Sequence, residues 1–221
     1  MEQVQRMIDV GIAYLDAIKN LKENQPQNVS LILEILNCIH PAQDYHFGIY
    51  IEEPAPFDAV THACDQSWFH CYQDKEEPIM RRPYNSSDWK NGFTYGMFEH
   101  LAIEHSPMGA WQAYLLCIAK TLLPFSGISY YTKRKLIFSN DQLRDIRPLF
   151  RKKIPKLEKF ENDVAPSVTL DGNTALVSCC YWNDWEGLIR EYVPFVFEND
   201  RVRIGDFRQK VLYKYDIGIR F

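Results

Sequence analysis

Apolar residues recur every three or four positions over residues 2–23, the spacing of a helix with one buried face. The stripe is formed by Val4, Ile8, Gly11, Leu15 and Ile18. The sequence NQPQN at 24–28 interrupts it, and Asn28 can cap a second apolar helix that extends to about Ile39 before Pro41. The pattern therefore predicts two helices at the start of the chain.

A third apolar stretch follows Ser106-Pro107, an N-cap residue with proline at the first helical position. Its sequence, MGAWQAYLLCIAKTLL, predicts a buried core helix over 107–123, too short to span a bilayer. Before it, HFGIYIE at 46–52 has the composition of a strand. Residues 54–91 contain prolines and mixed charges without a clear period, so we predict a long irregular segment there.

The C-terminal part predicts a sheet. GISYYTKRKLIF resembles a strand, and Ser139 with Gln142 forms a capping box before a helix whose apolar face is Leu143, Ile146, Leu149 and Phe150. Turn signals at 171–173, 183–187 and 198–200 separate alternating segments, and Pro194 indicates a strand edge or bulge. We therefore predict one α+β domain over 1–221, in which a mainly helical part (1–125) packs on a curved antiparallel β-meander of four to five strands (126–221).

The order helix, strand, capped helix and meander resembles the nuclear-transport-factor-2-like cone fold. The resemblance covers residues 130–208 and depends mainly on YVPFVFENDRVRI at 192–204, a hydrophobic strand, an acidic turn and a returning strand. That family includes enzymes and non-catalytic binding modules, so the resemblance implies a fold and not an activity.

Composition narrows the class of protein. The 221 residues are 46% hydrophobic and 24% charged, as in a globular protein, and the net charge of −4 argues against a nucleic-acid partner. No apolar run approaches a membrane span, and Glu2 and Asp9 make the N-terminus unlike a signal peptide. The six cysteines are irregularly spaced and include the vicinal pair Cys179-Cys180, which indicates reduced thiols and a cytoplasmic location.

Charge is unevenly distributed along the chain. Residues 41–80 contain eight acidic residues and one basic residue, whereas residues 133–159 contain ten basic residues and three acidic ones. Two interpretations stay open: the two segments are separate solvated surfaces, or the acidic segment forms a surface for a basic partner protein. The oligomeric state is left open by the sequence.

The densest group of reactive side chains lies in THACDQSWFHCYQD at 61–74. A metal site would draw on His62 with Cys64 and on His70 with Cys71, but the sequence has no second C-x-x-C knuckle, and adjacent residues of an extended chain such as His70 and Cys71 point to opposite sides. His100 and Glu104 in EHLAIEH could complete such a site from one face of a helix. A nucleophilic Cys64 or Cys71 beside a histidine base is the other chemical interpretation, but neither cysteine has a flanking catalytic signature. We therefore predict no catalytic residue, no cofactor and no metal, with His62, Cys64, His70, His100 and Glu104 as candidate ligands.

Aromatic residues are dense in the irregular segment and are interleaved with acids. They either anchor a long loop to the core or form an interface with aromatic anchors inside a charged rim. Our principal hypothesis is a non-catalytic intracellular protein of the immunity or regulatory type that binds a basic protein. The predicted partner-binding residues are Asp65, Trp68, Phe69, Tyr72 and Trp89. The alternative is a small-molecule enzyme or ligand-binding protein with a pocket between the sheet and the 107–123 helix.

Overall fold

The structure is a computed structural model that describes residues 1–22, 25, 28–52, 66–73, 78–82, 97–124, 134–146, 157, 160 and 162–214. Within these residues the α+β class is confirmed, with four helices and three sheets. The helices are α1 (Glu2–Lys19), α2 (Asn28–Ile35), α3 (Pro107–Cys117) and α4 (Asn140–Arg144), with short 3-10 turns at Met97–His100 and Ala119–Thr121. No helix in this part of the chain is long and apolar enough to cross a membrane.

The N-terminal half contains more strand than the sequence predicted. It forms a two-stranded sheet and a three-stranded sheet from β1 (Ile39–Pro41), β2 (His46–Glu52), β3 (Gln66–Tyr72), β4 (Ile79–Arg82) and β5 (Leu101–Ile103). The expectation of an irregular segment over 54–91 is thus wrong for β3 and β4, because both pair with β2, one antiparallel and one parallel. The predicted strand at 46–52 is confirmed.

The end of α2 also differs from the prediction. The second helix was expected to reach Ile39, but it ends at Ile35 and the chain enters β1. The buried Gln112 of α3 explains the break, because its Oε1 accepts a hydrogen bond from the backbone N–H of Cys38 (2.8 Å). Its Nε2 donates to Asn37 Oδ1 (3.1 Å). A distant side chain therefore satisfies the backbone N–H of Cys38, which a longer helix would have paired internally.

The C-terminal half forms a six-stranded sheet. Its strands are β6 (Lys135–Ile137), β7 (Ser167–Asp171), β8 (Thr174–Asn183), β9 (Gly187–Glu198), β10 (Arg201–Ile204) and β11 (Arg208–Lys214). All three predicted turns are confirmed, with Gly172 and Asn199 at positive φ. The sheet is not a simple meander, because β11 returns to pair with β9 beside β10.

Pro194 marks the point where the neighbours of β9 change. On one side β9 pairs continuously with β8, and on the other it pairs first with β11 and then with β10. The carbonyl oxygen of Pro194 accepts from the N–H of Gly205, in the connection between those two strands. The missing N–H of the proline faces this connection, where it interrupts no regular ladder. β9 is paired on both sides and its register with β8 continues through Pro194, so the predicted strand edge or bulge is not found at this residue. The proline lies instead where the partner of β9 changes from β11 to β10.

The core lies between α1, α3 and the inner face of the large sheet. Trp111 is fully buried and its Nε1 donates to the carbonyl oxygen of Met7 (2.8 Å), while the Tyr14 hydroxyl donates to that of Leu115 (3.0 Å). Ser106 caps α3 as predicted, accepting from Gly109 N–H through its Oγ (3.0 Å). These bonds attach α1 to α3, and α3 packs on β7 and β8.

A second apolar cluster covers part of the opposite face of the sheet. It begins at α4, where the predicted capping box is confirmed and Gln142 Oε1 accepts from the N–H of Ser139 (3.3 Å). Its buried members are Ile137, Leu143, Ile146, Leu157, Val164, Cys180, Trp182 and Leu188. The large sheet is therefore covered along its inner face by α3 and at one end of its outer face by this cluster.

Candidate functional site

The candidate residues of the 61–74 stretch fall on β3 or outside the described residues. His62, Cys64, Asp65 and Trp89 lie outside them. In β3, residues 66–72 pair with β2 in a continuous antiparallel register, and strand position 68, occupied by Trp68, is opposite Tyr50. Because side chains alternate along a strand, positions 68, 70 and 72 share one face and positions 67, 69 and 71 share the other.

Three aromatic rings form a stack on the first of these faces. The ring centroids of His70 and Tyr72 are 5.1 Å apart with an interplanar angle of 27°, and those of His46 and Tyr72 are 5.6 Å apart at 36°. His46 is exposed, Tyr72 is half-buried and His70 is buried. The ring stack (His46, Tyr72 and His70) thus extends from solvent into the protein.

Gly48 makes room for the ring stack. It lies opposite His70 in the register of β2 and β3. A Cβ atom there would lie 2.8 Å from Tyr72 Cε1 and 2.7 Å from the carbonyl oxygen of Pro78. Only glycine at this position allows the tyrosine ring to cover the strand backbone, so the glycine determines where the tyrosine ring lies.

Phe69 is the one partner-binding prediction that the structure corrects. It is fully buried on the opposite face of β3, where it stacks on Phe47 with ring centroids 4.8 Å apart. The alternation that puts Tyr72 on the outer face requires Phe69 to face the core. Its side chain therefore stabilises the three-stranded sheet and is not accessible to a partner.

His100 and Glu104 do not share a helical face. The chain forms a 3-10 turn that ends at His100 and then enters β5, so the expected helix over 99–105 is wrong. β5 pairs with β1, and this non-local pairing outweighs the helical spacing of the two residues. His100 stacks on Tyr45, with centroids 4.1 Å apart, whereas Glu104 is exposed beyond β5.

Among the described residues, no group of three or more His, Cys, Asp or Glu side chains could hold a metal ion. Of the five candidate ligands, the structure describes His70, His100 and Glu104, and it brings them into no such group. His62 and Cys64 lie outside the described residues.

Burial makes the described thiols poor nucleophiles. All five described cysteines are free thiols. Burial raises the pKa of Cys71 to about 12, and burial together with the nearby Glu104 carboxylate raises that of Cys38 to about 11. Burial likewise raises the pKa of the remaining three, Cys117, Cys179 and Cys180. Because the thiolate is the reactive form, these cysteines are protonated and unreactive near neutral pH.

A buried carboxylate lies under the large sheet. Glu191 of β9 is fully buried, and Arg134 Nη1 donates to both of its oxygens (2.9 and 2.7 Å). The Tyr114 hydroxyl of α3 donates to Oε2 (3.3 Å), and Gln209 Nε2 of β11 donates to Oε1 (3.0 Å). The charge is therefore paired and hydrogen-bonded from a helix, a strand and the residue before β6, as a buried carboxylate requires.

The surroundings of Glu191 keep Arg134 charged and Tyr114 protonated. Burial lowers the pKa of Arg134, but the attraction of Glu191 outweighs it and the net pKa is raised. The Arg134 guanidinium carbon also lies 4.5 Å from the centroid of the Tyr181 ring. Burial raises the pKa of Tyr114, so its hydroxyl remains a donor to the carboxylate. Among the described residues, the cluster is thus an ion pair in which both oxygens of the carboxylate accept hydrogen bonds.

A polar cleft of about 490 Å³ opens where the first turns of α1 and α3 meet. Glu2 and Arg6 line it from α1, and Cys38 and Glu104 line it from the β1 and β5 side. This cleft does not lie between the sheet and the 107–123 helix, where the sequence predicts a pocket. In α3 every residue from 109 to 117 is buried. The cleft therefore offers space to a small molecule among the described residues.

No family model, curated protein or solved structure matches this chain, and the resemblance of residues 130–208 to the nuclear-transport-factor-2-like fold therefore stays a prediction.

Proposed function

We propose that this chain is a non-catalytic binding protein that recognises a basic protein partner through the ring stack and the acidic residues of the 41–80 segment. The observation that carries the proposal is the position of Tyr72, half-buried and stacked between an exposed and a buried histidine on the face of β3 opposite the core. Strand position 68 lies on the same face.

The ring stack has the properties of an interface anchor. Neighbouring rings already restrict Tyr72, so binding would order few additional side-chain rotors and lose little conformational entropy. Tyrosine is among the residues enriched in interface centres, whereas charged residues are depleted there and form the rim. The excess of acids in residues 41–80, of which Asp44 is described and exposed, favours a basic partner.

The chemistry of the described residues supports binding over catalysis. The thiol pKa values are raised, which removes the nucleophile that the sequence offered at Cys71. The buried Glu191 carboxylate is held by Arg134 and two further donors, which leaves it without a free position for a substrate. The free thiols are typical of a reducing compartment, and we propose a cytoplasmic location for this reason.

The second candidate is a small-molecule enzyme or ligand-binding protein. The observation that favours it is the polar cleft, where Arg6 and Glu104 would recognise a ligand that carries both charges. This site lies at the N-terminal end of α3 and not between α3 and the sheet. A screen of zwitterionic metabolites by thermal shift tests this candidate. A compound that raises the Tm of wild type but not that of Arg6→Gln would favour it.

The test of the main proposal is affinity capture with quantitative mass spectrometry, using wild type, Tyr72→Ala and Tyr213→Ala. Tyr213 is the matched control, because it is also a half-buried tyrosine in a strand, but in the other sheet. We expect a basic protein that wild type and Tyr213→Ala retain and Tyr72→Ala loses. If Tyr72→Ala retained every partner that wild type captures, the proposal would be contradicted.

A further inference from the structure

The large sheet has an outer face that the second apolar cluster covers only at one end. Cross-strand register defines this face, because directly opposed residues project to the same side. Leu176 lies opposite Pro194, Thr174 opposite Val196, and Val196 opposite Arg203. Tyr192 lies opposite Arg208. The outer sheet face is defined here by Leu176, Arg190, Tyr192, Pro194, Val196, Arg201, Arg203, Arg208 and Lys210.

Its centre is apolar and accessible. Leu176 is 42% exposed, and Tyr192, Pro194 and Val196 are half-buried. The alternate residues of β9, from Ile189 to Phe197, are buried against the core. β9 is thus apolar on both faces. Among the described residues, the core packs along its inner face, whereas the second apolar cluster packs at one end of its outer face.

Its border along β10 and β11 is basic. Arg201, Arg203, Arg208 and Lys210 are all exposed on this side of the sheet. Glu198 pairs with Arg203 (3.0 Å) and compensates one of these charges. Apolar residues and cations therefore form adjacent parallel stripes. The charge of this surface is opposite to that of the acidic 41–80 segment.

Arg190 adds a fixed cation at the covered end of the face. Its guanidinium donates to the carbonyl oxygen of Asp163 and to Ser178 Oγ. These bonds hold the Arg190 side chain along the sheet, so that its charge lies beside Tyr192. Binding of a partner would therefore lose little conformational entropy at this side chain.

We propose that the outer sheet face docks an acidic amphipathic helix of another protein. The apolar stripe from residue 192 to residue 196 of β9 is about 13 Å long at the rise of a strand, which corresponds to about two and a half helical turns. The apolar side of a three-turn helix would cover Tyr192, Pro194 and Val196, and its acidic flank would face Arg203 and Arg208. This surface and the ring stack lie on different sheets, so the inference is independent of the proposed function.

Two other occupants fit the face less well. A second copy docked by this same face would bring the two basic borders together, and like charges repel. Nucleic acid would use the cations but not the aliphatic centre of Leu176, Pro194 and Val196, which offers no stacking surface for bases. Charge complementarity together with the apolar stripe thus favours an acidic helix.

The test is a fluorescence anisotropy titration with a labelled probe peptide of about 14 residues, with Leu at i, i+3, i+4 and i+7 and Glu at most other positions. A scrambled isomer of equal charge lacks the stripe. We expect dissociation constants of roughly 1–100 μM for wild type. Arg208→Glu and Leu176→Ser should each weaken binding at least about tenfold, since one removes the charge match and the other the apolar contact.

Lys19→Glu is the matched charge-reversal control, because Lys19 is an exposed cation on α1, and it should bind as wild type does. Tyr72→Ala should also bind the probe normally, which separates this inference from the proposed function. Equal affinity for the scrambled isomer, tighter binding of a DNA duplex, or a dissociation constant above about 1 mM would each overturn the inference. Analytical ultracentrifugation that shows wild type to self-associate and Arg208→Glu to be monomeric would also overturn the inference. That result would identify a second copy of this chain as the occupant of the face.

Discussion

Replacing Arg134 by methionine should destabilise the protein strongly, because it leaves the Glu191 carboxylate buried without its cation. Glu191 is 0% exposed and the Arg134 side chain is 18% exposed. Removal of one partner from a buried ion pair typically costs about 3–5 kcal/mol. Tyr114 and Gln209 still donate to the carboxylate, and some water reaches position 134, so we expect the lower end, about 3 kcal/mol.

A loss of this size should be evident in both chemical and thermal unfolding. For a domain of this length, each kcal/mol lowers Tm by roughly 2–4 °C, so Arg134→Met should lower it by about 6–12 °C. Urea unfolding followed by circular dichroism should show a lower midpoint at an unchanged m-value. Lys19→Met provides the control, because the Lys19–Asp16 pair is exposed on both sides (72% and 63%) and should contribute almost nothing.

Removal of both charges should restore most of the stability. Arg134→Met with Glu191→Leu replaces the pair by apolar side chains, which is often neutral. This double variant leaves the buried Tyr114 hydroxyl without its acceptor, at about 1–3 kcal/mol, so Tyr114→Phe should recover a further part. A single variant that loses less than about 1 kcal/mol would refute the reasoning, since that is the value of a solvated pair.

Three further outcomes follow from glycine packing and thiol burial. Gly109→Ala should lower the unfolding free energy by at least about 1–3 kcal/mol, because the new Cβ would lie 2.0 Å from the carbonyl oxygen of Glu104. Gly172→Asn is the control and should be tolerated, because Gly172 has a φ of 53° and open space around it; equal urea midpoints for the two variants would contradict this expectation. The free energy of unfolding should fall as pH rises from about 9 towards 11, because Cys38 (pKa about 11) and Cys71 (pKa about 12) keep their protons in the folded state, whereas the same thiols lose them in the unfolded chain. A urea midpoint that stays constant up to pH 11 would contradict the burial of these thiols. At pH 8, iodoacetamide should modify Cys38 and Cys71 at least roughly 100-fold more slowly in the native protein than in urea, as measured by peptide mass spectrometry, and similar rates would show that both thiols are accessible and ionised.

The elements that the sequence predicted correctly depend on local chemistry. The Ser106 cap, the capping box at Ser139 and the turn at Gly172 each involve residues within a few positions of each other. Such signals are readable because the interacting groups are adjacent in the chain. The strand at 46–52 belongs with them, since its composition alone indicated a strand.

The elements that the sequence did not predict depend on distant pairing. β3 alternates Phe69 and Cys71 on the core face with His70 and Tyr72 on the other, but its mixture of polar and aromatic residues concealed the alternation. β4 forms because it lies parallel to β2, a pairing that no local signal encodes. The same reason explains why the apparent helix at 99–105 is a turn and a strand.

The buried ion pair was partly visible in the sequence. Ile189, Val193, Phe195 and Phe197 occupy alternate positions of β9, and Glu191 lies on the same inward side. A carboxylate in the middle of an apolar alternation indicates a buried charge that needs a partner. Its partner, Arg134, is 57 residues away, and only the fold brings the two together. The ring stack likewise needed the register that places Gly48 under Tyr72.

The most direct test of the binding proposal is hydroxyl-radical footprinting of the chain alone and with its captured basic partner. His46 at the outer end of the ring stack and the half-buried Tyr72 next to it react with the radical, while Tyr213 in the other sheet serves as an internal reference. We expect the partner to reduce oxidation of Tyr72 and His46 at least about fivefold and to leave Tyr213 unchanged, as for residues at the centre of an interface. Unchanged oxidation of Tyr72 in the saturated complex would contradict the proposal.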